Sequence, residues 1–442
     1  MNRKQMKYST AFLASVLCLS LAGCSTAAAE NTETETAVQE TETDTKTETD
    51  TKTDTKTETV TYEAVTTTAN TTSDGAIDAS DLFTERDLQQ TADLTDAVYY
   101  TVSDGQDISI TEEGVYVLQG SAKDVTVTVE ADDTAKVQIV LDGVSITNTD
   151  FPCIYVKSAD KVFVTSASSD NTLAVTGTFT ADGDTNTDAA IFSRSDLVLN
   201  GTGTLNISST DNGISCKDDL KITGGTLNIT CTSDAVEAND SIRIADGNIT
   251  INTQNDGLKA EYDEDDSVGY IYICGGTLNI DAGDDAVHAT TILQIDDGTL
   301  KISAAEGLEA TIVQINGGDI DISASDDGIN AANKSSAYSA SLEINGGNLT
   351  VAMGAGDTDA LDSNGSLFIN GGTINISAQF AFDYDGQGAL NGGTVIVNGS
   401  QITQLSNSMM MGGGMMEGGM PGQMNGNGFP GGGMMGGPHG GH

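Results

Sequence analysis

Asp327-Gly328-Ile329-Asn330-Ala331, followed by Asn345-Gly346-Gly347-Asn348-Leu349-Thr350-Val351, is one copy of a phrase that returns between residues 188 and 397. Its second half recurs as Gly224-Gly225-Thr226-Leu227-Asn228-Ile229, Gly275-Gly276-Thr277-Leu278-Asn279-Ile280, Gly317-Gly318-Asp319-Ile320-Asp321-Ile322 and Gly371-Gly372-Thr373-Ile374-Asn375-Ile376. Successive copies sit about 22 residues apart. A unit that short cannot bury its own apolar face and must stack on its neighbours. Apolar and polar residues alternate within each copy, which is a strand period. Three short runs fall in each turn, such as Ile329 and Ala331, Leu342 and Ile344, and Leu349 and Val351. The spacing predicts an all-β, parallel β-helix solenoid with three short strands per turn of about 22 residues. Handedness is not written in the spacing, although chain chirality favours right-handed crossovers. The glycine pair fits a corner where a side chain is crowded or where φ is positive.

Working outward, the chain divides into four parts. Residues 1–24 combine Arg3, Lys4 and Lys7 with an apolar stretch ending in Leu21-Ala22-Gly23-Cys24. That is the layout of an export signal. It resembles the bacterial lipobox, which implies lipid attachment at Cys24, so the expected location is the outer face of the cell membrane, reached through the lipid anchor alone. Residues 25–75 are mostly Thr, Glu, Asp, Lys and Ala and bury too little to fold. Fully extended, roughly 50 such residues reach about 170 Å, enough to carry a domain into the cell wall. Residues 76–405 hold the repeats, and 406–442 form a Gly/Met-rich tail expected to be disordered. In the repeat region, Ser80 to Leu88 reads as a short helical lead-in with Ser80 as N-cap, covering the first turn. Strands are expected at Ile108 to Ile110, Val115 to Leu118, Val125 to Val129, Val137 to Leu141, Ile154 to Val156, Val162 to Val164 and Leu173 to Val175.

A formal charge of -47 with 18 Lys and Arg excludes nucleic acid and anionic lipid surfaces as direct partners and points to cations. Among the six cysteines, Cys216 and Cys231 take inward places where sister repeats carry Ala or Ser, and Cys153 and Cys274 fall near turns. Irregular spacing and the lack of a Cys-x-x-Cys favour small buried thiols over disulfides or a metal site.

Three stretches, Ile108 to Tyr116, Leu141 to Asn148 and Ala190 to Leu197, resemble the carbohydrate-binding lipoproteins of Gram-positive anaerobes, the cellulose- and pectin-binding parallel β-helix proteins. Phe83 to Leu88 and the Gly/Met tail fit as well, so the resemblance runs from about residue 80 to the end. It implies a right-handed β-helix, bound calcium and a plant-type polysaccharide ligand.

Aligned on their first apolar residue, the repeats place Asn212, Asp234, Asp256, Asp285, Glu306, Asp327 and Asp359 in one column. Neighbouring strands are about 4.8 Å apart, so adjacent carboxylates repel by roughly 1 kcal/mol in water and about 3 to 4 kcal/mol at an effective dielectric of 20. Bound Ca²⁺ would compensate. Asp211, Asp284, Asp326 and Asp357 lie just upstream, and Glu237, Glu309 and Asp362 three residues downstream, adding oxygen ligands. A purely structural role, each Asp capping a turn through backbone N–H groups, is compatible with metal binding. Asp182-Gly183-Asp184-Thr185-Asn186-Thr187-Asp188 is a second candidate, with oxygens at Asp182, Asp184 and Asp188 but no closing bidentate Glu.

Two insertions interrupt the array. Glu261 to Gly269 contains Tyr262 and Asp263 and leads into Tyr270 and Tyr272, and Asn333 to Ser341 contains Tyr338. These aromatic and acidic residues are candidate sugar contacts. Non-catalytic, calcium-assisted binding of polysaccharide competes with two other readings. One is a lyase in which Lys259 removes the proton beside a uronate carboxylate, with His288 at the equivalent place one turn on. The other is a wall-associated adhesin that recognises protein.

Overall fold

The computed structural model describes residues 77–355 and 358–407, all within the compact unit Glu63–His442. The expectations for Cys24, for the segment 25–75 and for the tail beyond residue 407 concern residues outside that range, as does Asp357. Among the described residues no helix is long and apolar enough to cross a membrane.

Among the described residues the unit is all-β, with 32 strands and a single 3-10 turn at Ala79–Asp81. Each regular turn visits three ladders. One turn runs through Asn212–Cys216 (ladder I), Asp219–Ile222 (ladder II) and Thr226–Thr230 (ladder III), and the next through Val236–Ala238, Ser241–Ile244 and Asn248–Asn252. Each strand pairs in parallel with its counterpart one turn on: Ile214 opposes Val236, Ile222 opposes Ile244 and Ile229 opposes Ile251. Among the described strands the exception is Ser400–Ile402, which folds back antiparallel on Thr394–Val397 at the last turn.

Alternation makes this register the stable one, because a slip by one residue would turn every Ile to solvent. In register, Ile222, Ile244, Ile273, Ile295, Ile315, Ile344 and Ile369 stack in one inward column of ladder II, all of them buried. Burying each such side chain contributes about 1.5–3 kcal/mol. Leu227, Ile229, Leu278, Ile280, Ile374 and Ile376 form the matching columns of ladder III. Cys153, Cys216 and Cys231 are buried free thiols, as small inward side chains should be, and Cys274 is half-buried.

Both glycines of the repeated pair are crowded by the turn below, and the second also needs positive φ. Gly347 has φ +81, a left-handed conformation, whereas a Cβ on Gly346 would collide with the Asn316 carbonyl of the turn below. Beside this corner runs a chain of side-chain hydrogen bonds. Asn391 donates to Asn370 (2.8 Å), Asn370 to Asn345 (2.7 Å), Asn345 to Asn316 (2.8 Å) and Asn316 to Asp296 (2.7 Å), where Tyr272 also donates.

The lead-in differs from its expected form. It is not a helix over the first turn, and its cap is Asp78, whose side chain accepts the Ser80 N–H. Instead it is a strap laid along the outer face of ladder II. Ile77 N–H donates to Gln294 at 2.7 Å, Gln90 donates to the Thr223 carbonyl at 2.9 Å, and the Arg86 guanidinium sits 4.5 Å above the Phe163 ring. Outward Tyr270, Tyr272, Ile292 and Ile312 would otherwise face water, and Ile77 and Leu82 bury them.

Candidate functional site

With ladder II strapped, ladder I offers an outer face dense in ionisable groups. The strand period places Ser215, Glu237, Lys259, His288, Glu309, Asn330 and Asp362 in one outward column. The turn entering each strand supplies the acidic column expected from the sequence, in register from Asn212 through Asp285 and Glu306 to Asp359. The insertions lie at the exit from ladder I and touch each other, Ser336 N–H donating to Asp266 at 2.8 Å.

The capping role of the acidic column is realised between turns. The Asn212 side chain accepts the Asp234 N–H (2.9 Å), Asp234 accepts that of Asp256 (3.1 Å), Asp256 that of Asp285 (3.0 Å) and Asp327 that of Asp359 (3.1 Å). Each side chain thus carries a backbone hydrogen bond one turn up the stack, and Asp234, Asp256 and Asp327 use one carboxylate oxygen for it and keep a second.

Among the described residues two groups of metal-ligating atoms each converge within 4.8 Å, namely Asp256, Asp285 and His288, and Asp285, Glu306 and Glu309. Protein cations occupy part of this stretch. Lys259 Nζ lies 3.4 Å from Asp256, 3.7 Å from Asp234 and 3.3 Å from Glu261. Burial works against its charge, yet these three carboxylates hold its pKa well above the ordinary lysine value. His288 Nδ1 is 2.7 Å from Asp285 Oδ2 and 3.1 Å from Glu309 Oε2, and Lys334 Nζ is 2.8 Å from Glu309. Burial disfavours the imidazolium, but the hydrogen bonds to Asp285 and Glu309 raise His288 to about 10. Glu309 is correspondingly lowered: burial pushes it up, and His288 and Lys334 more than offset that.

Toward the later turns the balance changes. Asp362 is raised to about 7 by burial and by Asp327, Asp383 and Asp359. Glu306 rises to about 7 through burial and the Glu309 charge, and Asp256 to about 6 through burial, Asp234 and Asp285. Among the described residues no lysine or arginine pairs with Asp327 or Asp362. The buried Asn330 Oδ1, on the residue opposite Asp362, has no hydrogen-bond partner. Carboxylates held partly protonated by burial and by their like-charged neighbours, together with an idle amide carbonyl, fit a hard divalent ion.

Other sequence candidates are dispersed. Asp284 and Asp326 are exposed at the turns. Asp182 is held by Lys157 (3.1 Å) and the Tyr155 hydroxyl (3.1 Å), Asp184 is exposed, and Asp188 lies beside Asn212, its pKa raised to about 6 by burial. Tyr270 and Tyr272 are buried under the strap and offer no face to a sugar, correcting their assignment as contacts. Tyr338 packs half-buried against the same cluster. Tyr262 donates to Glu264 at 3.1 Å on the outer insertion, next to exposed Asp263.

A family profile described as "Carbohydrate-binding domain-containing protein" matches residues 104–357 and 306–409, which takes in ladder I and its acidic column. The chain belongs to this family. A carbohydrate-binding domain-containing protein of Acetivibrio thermocellus is 45% identical over 202 residues, 45% of this chain and 71% of the relative. A solved structure titled as the polysaccharide lyase-like protein from C. thermocellum, gadolinium derivative, aligns at 30% identity over 51% of this chain and 93% of its own, with a TM-score of 0.44. The strap residues 77–90 fall before the span matched by the carbohydrate-binding family profile.

Proposed function

We propose that this chain is a cell-surface polysaccharide-binding protein that acts without catalysis and uses calcium to hold an acidic glycan of the pectin or polygalacturonate kind. Its repeat unit, residues 76–405, is read as a right-handed parallel β-helix solenoid. Support comes from the pairing of each strand with its counterpart one turn on and from the chirality of parallel crossovers. Attachment through a lipid on Cys24, at the outer membrane face, remains the reading of the lipobox, with residues 25–75 as tether and 406–442 as tail.

The observation that carries the binding reading is the state of ladder I within a carbohydrate-binding family. The two candidate bases, Lys259 and His288, are locked to carboxylates with raised pKa values, which is wrong for proton abstraction. Asp327, Asp359, Asp362 and the Asn330 carbonyl are the residues that would hold calcium. The ion would supply positive charge to a uronate carboxylate, which an acidic protein otherwise repels. The test is retention of the full chain on polygalacturonate with calcium and with chelator, for the wild type and for Asp327→Asn/Asp362→Asn. Calcium-dependent retention that the double variant loses supports the proposal. Retention that ignores both chelator and variant sinks it.

A further inference from the structure

We propose that His288, Asp285 and Glu309, assisted by Glu306, form a separate site for a first-row divalent ion such as zinc, distinct from any oxygen-only calcium site on later turns. Three electron-pair donors meet at one point: His288 Nδ1, Asp285 Oδ2 at 2.7 Å and Glu309 Oε2 at 3.1 Å. Zinc bound at about 2.0–2.2 Å to nitrogen and oxygen holds such atoms roughly 3.2 to 3.5 Å apart, so shifts of a few tenths of an ångström suffice. Glu306 converges with Asp285 and Glu309 within 4.8 Å, in a group that shares Asp285 with the one holding His288, and offers a fourth ligand.

Burial sharpens the case. His288 is 7% exposed and Glu309 3% exposed, and His288 Nε2 is buried without a hydrogen-bond partner. A metal ion would take the place of the Nδ1 proton that the two carboxylates now hold, with the remaining ring proton on Nε2. Local charge fixes its valence. Three carboxylates, Asp285, Glu306 and Glu309, are met by one ammonium, Lys334, leaving two negative charges when the imidazole is neutral. A nitrogen ligand on a compact, dry site selects a borderline ion over calcium, which seeks six to eight oxygens.

The rival account is that His288 only supplies counter-charge, as Lys259 does one turn below. His288→Lys separates the two, because it keeps a cation in the column and removes the imidazole. Zinc titration of the full chain by calorimetry should give one equivalent more in the wild type than in His288→Lys. At that site binding should weaken beyond the roughly 10- to 100-fold that loss of an outer partner costs. Crystals of the wild type soaked in zinc should show anomalous scattering between Asp285, His288 and Glu309. Equal zinc binding by the two proteins, or no anomalous peak at that point, overturns the proposal. The peak is read on the wild type, so misfolding of the variant does not protect the idea. Calcium-dependent retention on polygalacturonate, measured in parallel, reports on the calcium reading independently.

Discussion

Asp87 in the strap places its Oδ2 2.8 Å from Nζ of Lys221 on ladder II, across 134 residues of sequence, and is wholly buried. Lys161 adds a second ammonium at 3.6 Å. Burial opposes the charge on Asp87, but the two lysines overcome it and lower its pKa. Lys221 is lowered too, because burial and the neighbouring Lys161 and Arg243 outweigh its one carboxylate. The pair therefore pins the strap electrostatically while Ile77 and Leu82 seal the aromatic patch beyond it.

Removing the carboxylate strands the Lys221 ammonium in a dry place and leaves Lys161 with Asp196 alone. Asp87→Ala should cost about 3–5 kcal/mol, the range for breaking a buried pair from one side. Tyr272 fluorescence and proteolysis near residue 90 should then report a strap lifted at lower denaturant than the ladders melt. A variant with wild-type denaturation and protease resistance would refute the pinning role.

Gly347 and Gly105 separate crowding from conformation. Both have positive φ, +81 and +64, but a Cβ on Gly347 would meet the backbone of Gly317 and Gly318 at 2.8–2.9 Å, whereas at Gly105 it would meet nothing within 4 Å. Gly105→Ala should cost about 1–2 kcal/mol for the left-handed backbone alone. Gly347→Ala should cost more, because the stacked turn must also spread. Equal losses in thermal melts would mean that turn stacking at this corner tolerates a methyl group.

The ladders were legible because each copy states its strand period, and the acidic column followed once the copies were aligned on Val287, Leu308 and Ile329. Tyr270 and Tyr272 were legible as aromatic residues beside the first insertion. Their burial was not, because the covering contacts join residues such as Ile77 and Gln294, 217 positions apart, and no local pattern encodes them. The glycine pair showed two possible reasons for glycine, and the structure finds crowding at both residues and positive φ at the second alone. Lys259 and His288 were visible as a column, but which carboxylates they neutralise depends on the insertions that supply Glu261 and Lys334.

Stability in the absence of metal should fall as pH rises from about 4 to about 7. Asp256 at about 6, and Glu306 and Asp362 at about 7, have folded pKa values above their ordinary 3.8 and 4.5. In that window the folded state binds more protons than the unfolded state, so each rise in pH favours unfolding. His288, raised to about 10, acts in the same direction: its contribution is complete below 6.5 and is lost as pH climbs through 10. Asp87 is lowered and loses its contribution only below 3.8, outside this range. Melting temperatures with chelator at pH 5 and pH 8 check this, and a higher value at pH 8 would contradict it.

Lys259 provides the sharpest separation between counter-ion and base. Its ammonium serves Asp234, Asp256 and Glu261 at once, so Lys259→Met leaves three carboxylates to repel one another on adjacent turns. Lys259 is only partly buried, so the cost without metal should fall between the value below about 1 kcal/mol of an exposed pair and the roughly 3–5 kcal/mol of a buried one. Calcium should restore more stability to this variant than to the wild type, because a longer stretch of uncompensated oxygen is open to it, and the gain should grow with calcium by mass action. Polygalacturonate retention in calcium should survive. Had Lys259 been the base of a lyase, the wild type would release unsaturated products that the variant would not. Detectable turnover by the wild type, abolished in Lys259→Met, would replace the binding account with an eliminative one.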